Sequence, residues 1–164
     1  MARISTGKGS KQDYGSPEVL MTQIKKHFPI AWDLAANKGN TKAKLWCGPG
    51  GAFEDAFEYD WSMLSVKSGE WLWLNPPYGN IGPWYLNCQR MQVRGARILS
   101  LVPMDAARWL DYVPGYAGIW HLQGRVKFDG AKDSNTKDSA LHIWAPEYAN
   151  TYKIWNWKED RFLI

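Results

Sequence analysis

From Ser16 onward the apolar positions fall into short blocks separated by proline, glycine and polar residues, and their spacing switches between helical and extended periods. Ser16-Pro17-Glu18 opens an amphipathic run from Val19 to His27, with Val19, Leu20 and Ile24 on one face. Ser16 is placed to N-cap this helix, and Pro17 to take its first position, where a missing N–H is harmless. Phe28 to Asp33 then reads as a short buried strand ending in a carboxylate. Between Asn37 and Gly69 the pattern weakens, and Gly48-Pro49-Gly50-Gly51 is its clearest feature, a loop. Glu70 to Leu74 is aromatic, apolar and too short for a helix, so it predicts a strand. Asn75-Pro76-Pro77-Tyr78-Gly79 ends it abruptly, because proline donates no ladder hydrogen bond. A helix is expected over Gly82 to Arg94, a buried strand over Ala96 to Val102 closed by Pro103, and a short helix over Asp105 to Tyr112. Further strands are expected at Gly118 to Leu122, Arg125 to Phe128, Ala140 to Trp144 and Tyr152 to Trp155. Strands and helices in alternation, followed by consecutive strands, predict an α/β fold with an antiparallel edge.

Composition narrows this picture. A chain of 164 residues is one ordinary domain, and 45% apolar with 22% charged residues fits a globular protein. No apolar stretch is long enough for a transmembrane helix. Residues 1–12 are polar and basic without an apolar block, which suggests a flexible arm rather than a secretory signal, ahead of a single domain over 13–164. Cys47 and Cys88 stand apart, with no CxxC pair or nearby histidine at ligand spacing, so no metal site is expected and a reducing cytoplasm fits. His27, His121 and His142 have no mutual spacing of a triad or metal site and read as structural or surface residues. The net charge of +4 is compatible with a polyanionic partner. Eleven tryptophans exceed what a core of this size needs, leaving candidates for stacking on bases.

Chemistry concentrates at Asn75-Pro76-Pro77-Tyr78. A buried strand stopped by two prolines thrusts the next residues off the carboxyl edge of the sheet, where ligands bind in open α/β folds. There the Asn75 side-chain carbonyl and the Pro76 backbone carbonyl can accept the two hydrogens of a planar amine, and Tyr78 can stack on the ring that bears it. Proline rigidity holds these groups in place. The amine can lose its proton after transfer, so no general base of unusual pKa is needed. An ordinary turn is the competing explanation, but the position after an aromatic strand and before a helix favours a catalytic role.

With these residues in view, the chain resembles the small phage-type DNA N6-adenine methyltransferases, relatives of the Dam enzymes whose tetrapeptide is Asp- or Asn-Pro-Pro-Tyr. The similarity runs from about Tyr14 to Pro146. It includes Ser16-Pro17, Asp33-Leu34-Ala35-Ala36-Asn37, Asp60-Trp61, Leu101-Val102-Pro103 and Gly124-Arg125-Val126-Lys127-Phe128, in family order. The resemblance implies a Rossmann-like class I fold, S-adenosylmethionine as cofactor, DNA as partner, and the cytoplasm of a bacterial host as location. It places Asp33 and Ala35 beside the methionine moiety and brings Ser16 and Pro17 to the same pocket. The usual glycine-rich cofactor loop is here Ala35-Ala36, with Gly39 further on.

A carboxylate is needed for the cofactor ribose, and of Asp55 and Asp60 the latter has the better sequence neighbourhood. Arg125 and Lys127 share one face of their expected strand and are candidates for phosphate contacts. The chain is too short for a separate recognition domain, so modest sequence specificity, or help from a second copy in a homodimer, is expected. The tetrapeptide alone also fits cytosine N4, guanine N2 in RNA or protein glutamine as target, and a degenerate nucleic-acid-binding protein on the same fold is the non-enzymatic alternative.

Overall fold

The computed structural model describes residues 15–64, 69–104, 107–129 and 138–164. The basic arm expected at residues 1–12 lies outside them. Helix α1 (Glu18–His27) presents Leu20, Met21 and Ile24 to the core and is followed by β1 (Ile30–Asp33). Two short elements, β2 (Leu45–Trp46) and α2 (Trp61–Leu64), precede β3 (Trp71–Leu74), which leads through the tetrapeptide into α3 (Ile81–Val93). The rest is β4 (Ile98–Pro103), β5 (Ala117–Leu122), β6 (Ser139–Trp144), β7 (Tyr152–Asn156) and β8 (Arg161–Phe162). No helix among the described residues is long and apolar enough to cross a membrane.

Among the described residues, eight strands join one sheet in the order β2-β1-β3-β4-β6-β5-β7-β8. Strands β2, β1, β3 and β4 are mutually parallel, β6 runs antiparallel between β4 and β5, and β8 is antiparallel to β7. This is a small mixed α/β domain. The antiparallel strand expected at an edge is therefore also found inside the sheet, where β6 is buried along its whole length.

Strand alternation divides the core. Trp71 and Trp73 face α1 with Leu99, Leu101 and Trp120. Leu72 and Leu74 face α2 and α3 with Trp61, Trp84, Tyr85 and Trp144. On the second face the Tyr85 hydroxyl reaches Ser100 Oγ (2.9 Å) and His142 Nδ1 (2.7 Å), while Trp144 Nε1 donates to Ser100 Oγ (2.9 Å). Burial pushes the His142 imidazole down to about 3, so it is neutral and structural. His27 and His121 sit nearer the surface against Asp160 (2.6 Å) and Asp138 (3.1 Å). Cys47 and Cys88 are buried free thiols.

Several local expectations need correction. Ser16 does not cap α1: Pro17 holds the cap position with extended backbone (φ −64°, ψ 141°) and no side-chain cap bond. Phe28 belongs to the helix end, its N–H donating to Ile24 O (2.9 Å), so the strand starts at Ile30. Arg125 to Phe128 is not a strand, because both edges of β5 are already taken by β6 and β7. The segment keeps strand-like alternation, with Val126 and Phe128 buried and Arg125 and Lys127 exposed, but turns away toward Gly15, whose carbonyl accepts from Asp129 N (2.8 Å). The helix expected from Asp105 begins outside the described residues and is a 3-10 turn at Ala107–Asp111.

Candidate active site at the carboxyl ends of β1 and β3

From β1 the chain goes to β2 on one side and to β3 on the other, so the strand order reverses at β1. Ligands of open α/β sheets settle outside the carboxyl ends at such a point. Asp33 ends β1 there, and Asn75 follows β3 next to it. Ser16, Asp33, Ala35 and Asn75, four residues singled out from the sequence, line one crevice with Gly15, Asn40, Lys42 and Trp73. Its volume is about 20 Å³. That holds one water molecule, so it is the polar floor of a site rather than the whole of it.

Ser16, 2% exposed, turns into this crevice instead of toward its helix, and its Oγ accepts from Asn75 Nδ2 at 3.4 Å. Committing the Asn75 amide nitrogen to Ser16 leaves the side-chain carbonyl as a free acceptor. Pro76 is buried, and its backbone carbonyl takes no backbone hydrogen bond among the described residues. Pro77 starts the single 3-10 turn Tyr78–Asn80 that leads into α3, with Asn80 N donating to Pro77 O (3.0 Å). The half-buried Tyr78 meets Phe128 edge-on, centroids 6.3 Å apart and planes at 69°. Its hydroxyl is fully buried with no hydrogen-bond partner among the described residues, and burial raises its pKa well above the usual phenol value.

Asp33 organises the loop after β1. Its Oδ1 accepts from Ala35 N (3.3 Å) and its Oδ2 from Lys42 N (2.9 Å). Burial outweighs these bonds and pushes its carboxyl up to about 6. The native state therefore holds this proton more tightly than the unfolded chain, whose carboxyl titrates near 3.8. Its contribution to stability is greatest below pH 3.8 and is lost as pH rises through about 6, by at most about 3 kcal/mol. The isosteric D33N protein lacks this titration, so its stability relative to wild type should rise between pH 4 and pH 7 in urea denaturation. A difference independent of pH would show that Asp33 is not desolvated in this way.

The remaining candidates lie elsewhere. Asp60 caps α2, its Oδ1 accepting from Ser62 N (3.0 Å) and Ser62 Oγ (2.6 Å), and its Oδ2 meets Arg94 Nη2 at 2.7 Å. Arg94 is the C-cap residue of α3, so this ion pair ties the start of α2 to the end of α3. Asp55 is better placed: it follows the Cys47–Phe53 bridge just beyond β2, and its charge helps raise the Cys47 thiol to about 11, behind burial and Asp33. Its Oδ1 already accepts from Phe57 N (2.9 Å). Pro17 adjoins the crevice without lining it. Arg125 and Lys127 are solvent-facing on the segment whose Phe128 touches Tyr78. Lys42 and Asn40 were not foreseen, because a run such as Lys38-Gly39-Asn40-Thr41-Lys42 has the composition of a solvated loop.

Two comparisons with known proteins bear on this geometry. A family model described as DNA N-6-adenine-methyltransferase (Dam) matches residues 4–160. The chain is also 25% identical over 158 residues to a protein named DNA N-6-adenine-methyltransferase from Haemophilus phage HP1 (strain HP1c1), covering 90% of this chain and 86% of the relative.

Proposed function

This chain belongs to the DNA N-6-adenine-methyltransferase (Dam) family, and from that premise we propose that it methylates the N6 amine of adenine in DNA with S-adenosylmethionine, at the crevice between β1 and β3. The observation that carries the reading is the convergence of Asn75, Ser16 and Asp33 at the point where strand order reverses. The same reversal, with an antiparallel strand lodged between β4 and β5, supports a Rossmann-like class I fold.

The polar groups suit the cofactor. A buried carboxylate such as Asp33 complements the ammonium of its methionine end, and Asp55, beyond β2, takes the ribose role in preference to Asp60. When bound, S-adenosylmethionine supplies an electrophilic methyl group on a positive sulfonium. The chain's own task is to present the amine. Asn75 Oδ1 and the Pro76 carbonyl accept its two hydrogens and so aim the nitrogen lone pair at the methyl. Neither acceptor removes a proton before transfer; the proton leaves afterwards to solvent.

Adenine must be flipped out of the duplex to arrive there. A base stacks against a ring face, and Tyr78, packed edge-to-face with Phe128 at 69°, is the aromatic ring the tetrapeptide supplies for it. Arg125 and Lys127, exposed beside Phe128, reach for backbone phosphates on either side of the flipped nucleotide.

Methyl-labelled cofactor and unmethylated genomic DNA, digested to nucleosides after reaction, test this reading. Label is expected in N6-methyldeoxyadenosine. Label confined to cytosine would redirect the reading to N4 transfer, and cofactor binding without any transfer would favour a degenerate binding protein.

A further inference from the structure

In the loop after β1, nine of the ten backbone N–H groups from Leu34 to Ala43 are already hydrogen-bonded, Lys38 being the exception. The N–H groups of Leu34, Ala35, Ala36 and Asn37 donate to Trp73 O, Asp33 Oδ1, Cys47 O and Asn40 Oδ1. Those of residues 39–43 are likewise taken by acceptors of β1 and of the loop itself. A glycine-rich loop binds an anionic group with N–H groups left free and a backbone that can approach closely. Here both resources are scarce, and the negative end of a zwitterionic ligand is better served by a side chain.

Among the described residues, Lys42 is the one cation lining the crevice. Its side chain is only 7% exposed, which is unusual for lysine. Its backbone N–H is tied to Asp33 Oδ2, so the stem is fixed to the end of β1. The ammonium meets Glu18 Oε1 at 2.9 Å and Asp129 Oδ2 at 3.6 Å. Those carboxylates are 73% and 56% exposed, so they are solvated counter-ions that can be exchanged at small cost rather than buried partners.

We propose that Lys42 is the anion anchor of the crevice, binding the carboxylate of the cofactor's methionine end in place of the N–H groups of a glycine-rich loop. The proposal rests on the cofactor reading above. The incoming carboxylate displaces Asp129 from the ammonium, while Asp33 takes the neighbouring α-ammonium with lone pairs its two backbone bonds leave free. Asp33 and Lys42 together thus recognise an amino-acid zwitterion.

Calorimetry on the full chain, with S-adenosylhomocysteine and its decarboxylated counterpart S-adenosyl-3-thiopropylamine, tests it without turnover. Wild type should bind the carboxylate-bearing ligand about tenfold or more tightly than the decarboxylated one, the strength expected of a charge-assisted contact. K42M, which keeps the apolar stem, should lose that preference by weakening S-adenosylhomocysteine about tenfold or more and leaving the other ligand unchanged or tighter. Equal binding of the two ligands by wild type overturns the proposal whether or not K42M folds. Equal weakening of both by K42M overturns it too, reducing Lys42 to a loop support while the cofactor reading stands. Wild type binding neither ligand would instead remove the cofactor reading on which the proposal depends.

Discussion

Replacing Asn75 with alanine should lower kcat for methyl transfer by about 100-fold or more while changing affinity for S-adenosylhomocysteine less than about threefold. The size follows from what the side chain does in the proposed mechanism. It contacts the target amine rather than the cofactor, and charge develops on that nitrogen only as the methyl arrives. An acceptor set in place beforehand therefore stabilises the transition state more than the ground state. Asn75 is preset by Ser16, which holds its amide nitrogen at 3.4 Å and so decides which way the carbonyl faces. N75D should keep far more activity than N75A, since a carboxylate still accepts from the amine and Ser16 Oγ–H can reverse its role and donate. If N75A transfers methyl groups at the wild-type rate, Asn75 is not the acceptor and the tetrapeptide is only a turn.

The features legible in the sequence were those with strong local causes. Trp71 to Leu74 is buried on both faces and reads as a strand on composition alone, and two prolines can stop it in few ways. α3 was legible within a residue at each end for a similar reason, its apolar positions facing a single core. β2 was not, because two residues carry no periodicity and it exists only through the register Trp32–Leu45 and Asp33–Trp46. Arg125 to Phe128 shows where alternation misleads. Its pattern records which side chains are buried, not whether the backbone has a ladder partner, and here it has none among the described residues. The choice between Asp55 and Asp60 likewise depends on tertiary partners, since Asp55 accepts from Phe57 N two residues on, whereas Asp60 meets Arg94, which is remote in sequence. Lys42 was hidden for the same reason, since its ion-pair partners Glu18 and Asp129 are remote in sequence.

The close backbone approach between the loops after β1 and β2 leads to the largest expected loss of stability. Gly48, in the loop after β2, has φ +137°, and a Cβ there would stand 1.8 Å from the Ala36 carbonyl oxygen. The obstacle is backbone and is held in place: Ala36 N donates to Cys47 O (3.0 Å) and Gly48 N to Phe53 O (2.7 Å). Neither loop can yield without breaking the bonds that join them. G48A should therefore destabilise the protein by about 3 kcal/mol or more, adding steric overlap to an unfavourable dihedral. Gly50 is the control. Its φ of +76° is also left-handed, but a Cβ there meets nothing within 4 Å, so G50A should cost only about 1 kcal/mol. The two variants should also differ in calorimetry. Displacing Ala36 moves the loop that carries Asp33 and Lys42, so G48A should weaken S-adenosylhomocysteine binding about tenfold or more, whereas G50A should leave it within about threefold. Equal effects from the two substitutions in both measurements would mean that the loops do not meet as described. A larger effect from G48A would mean that the close approach of Gly48 to Ala36 holds the loop after β1, with Asp33 and Lys42, in its ligand-binding position.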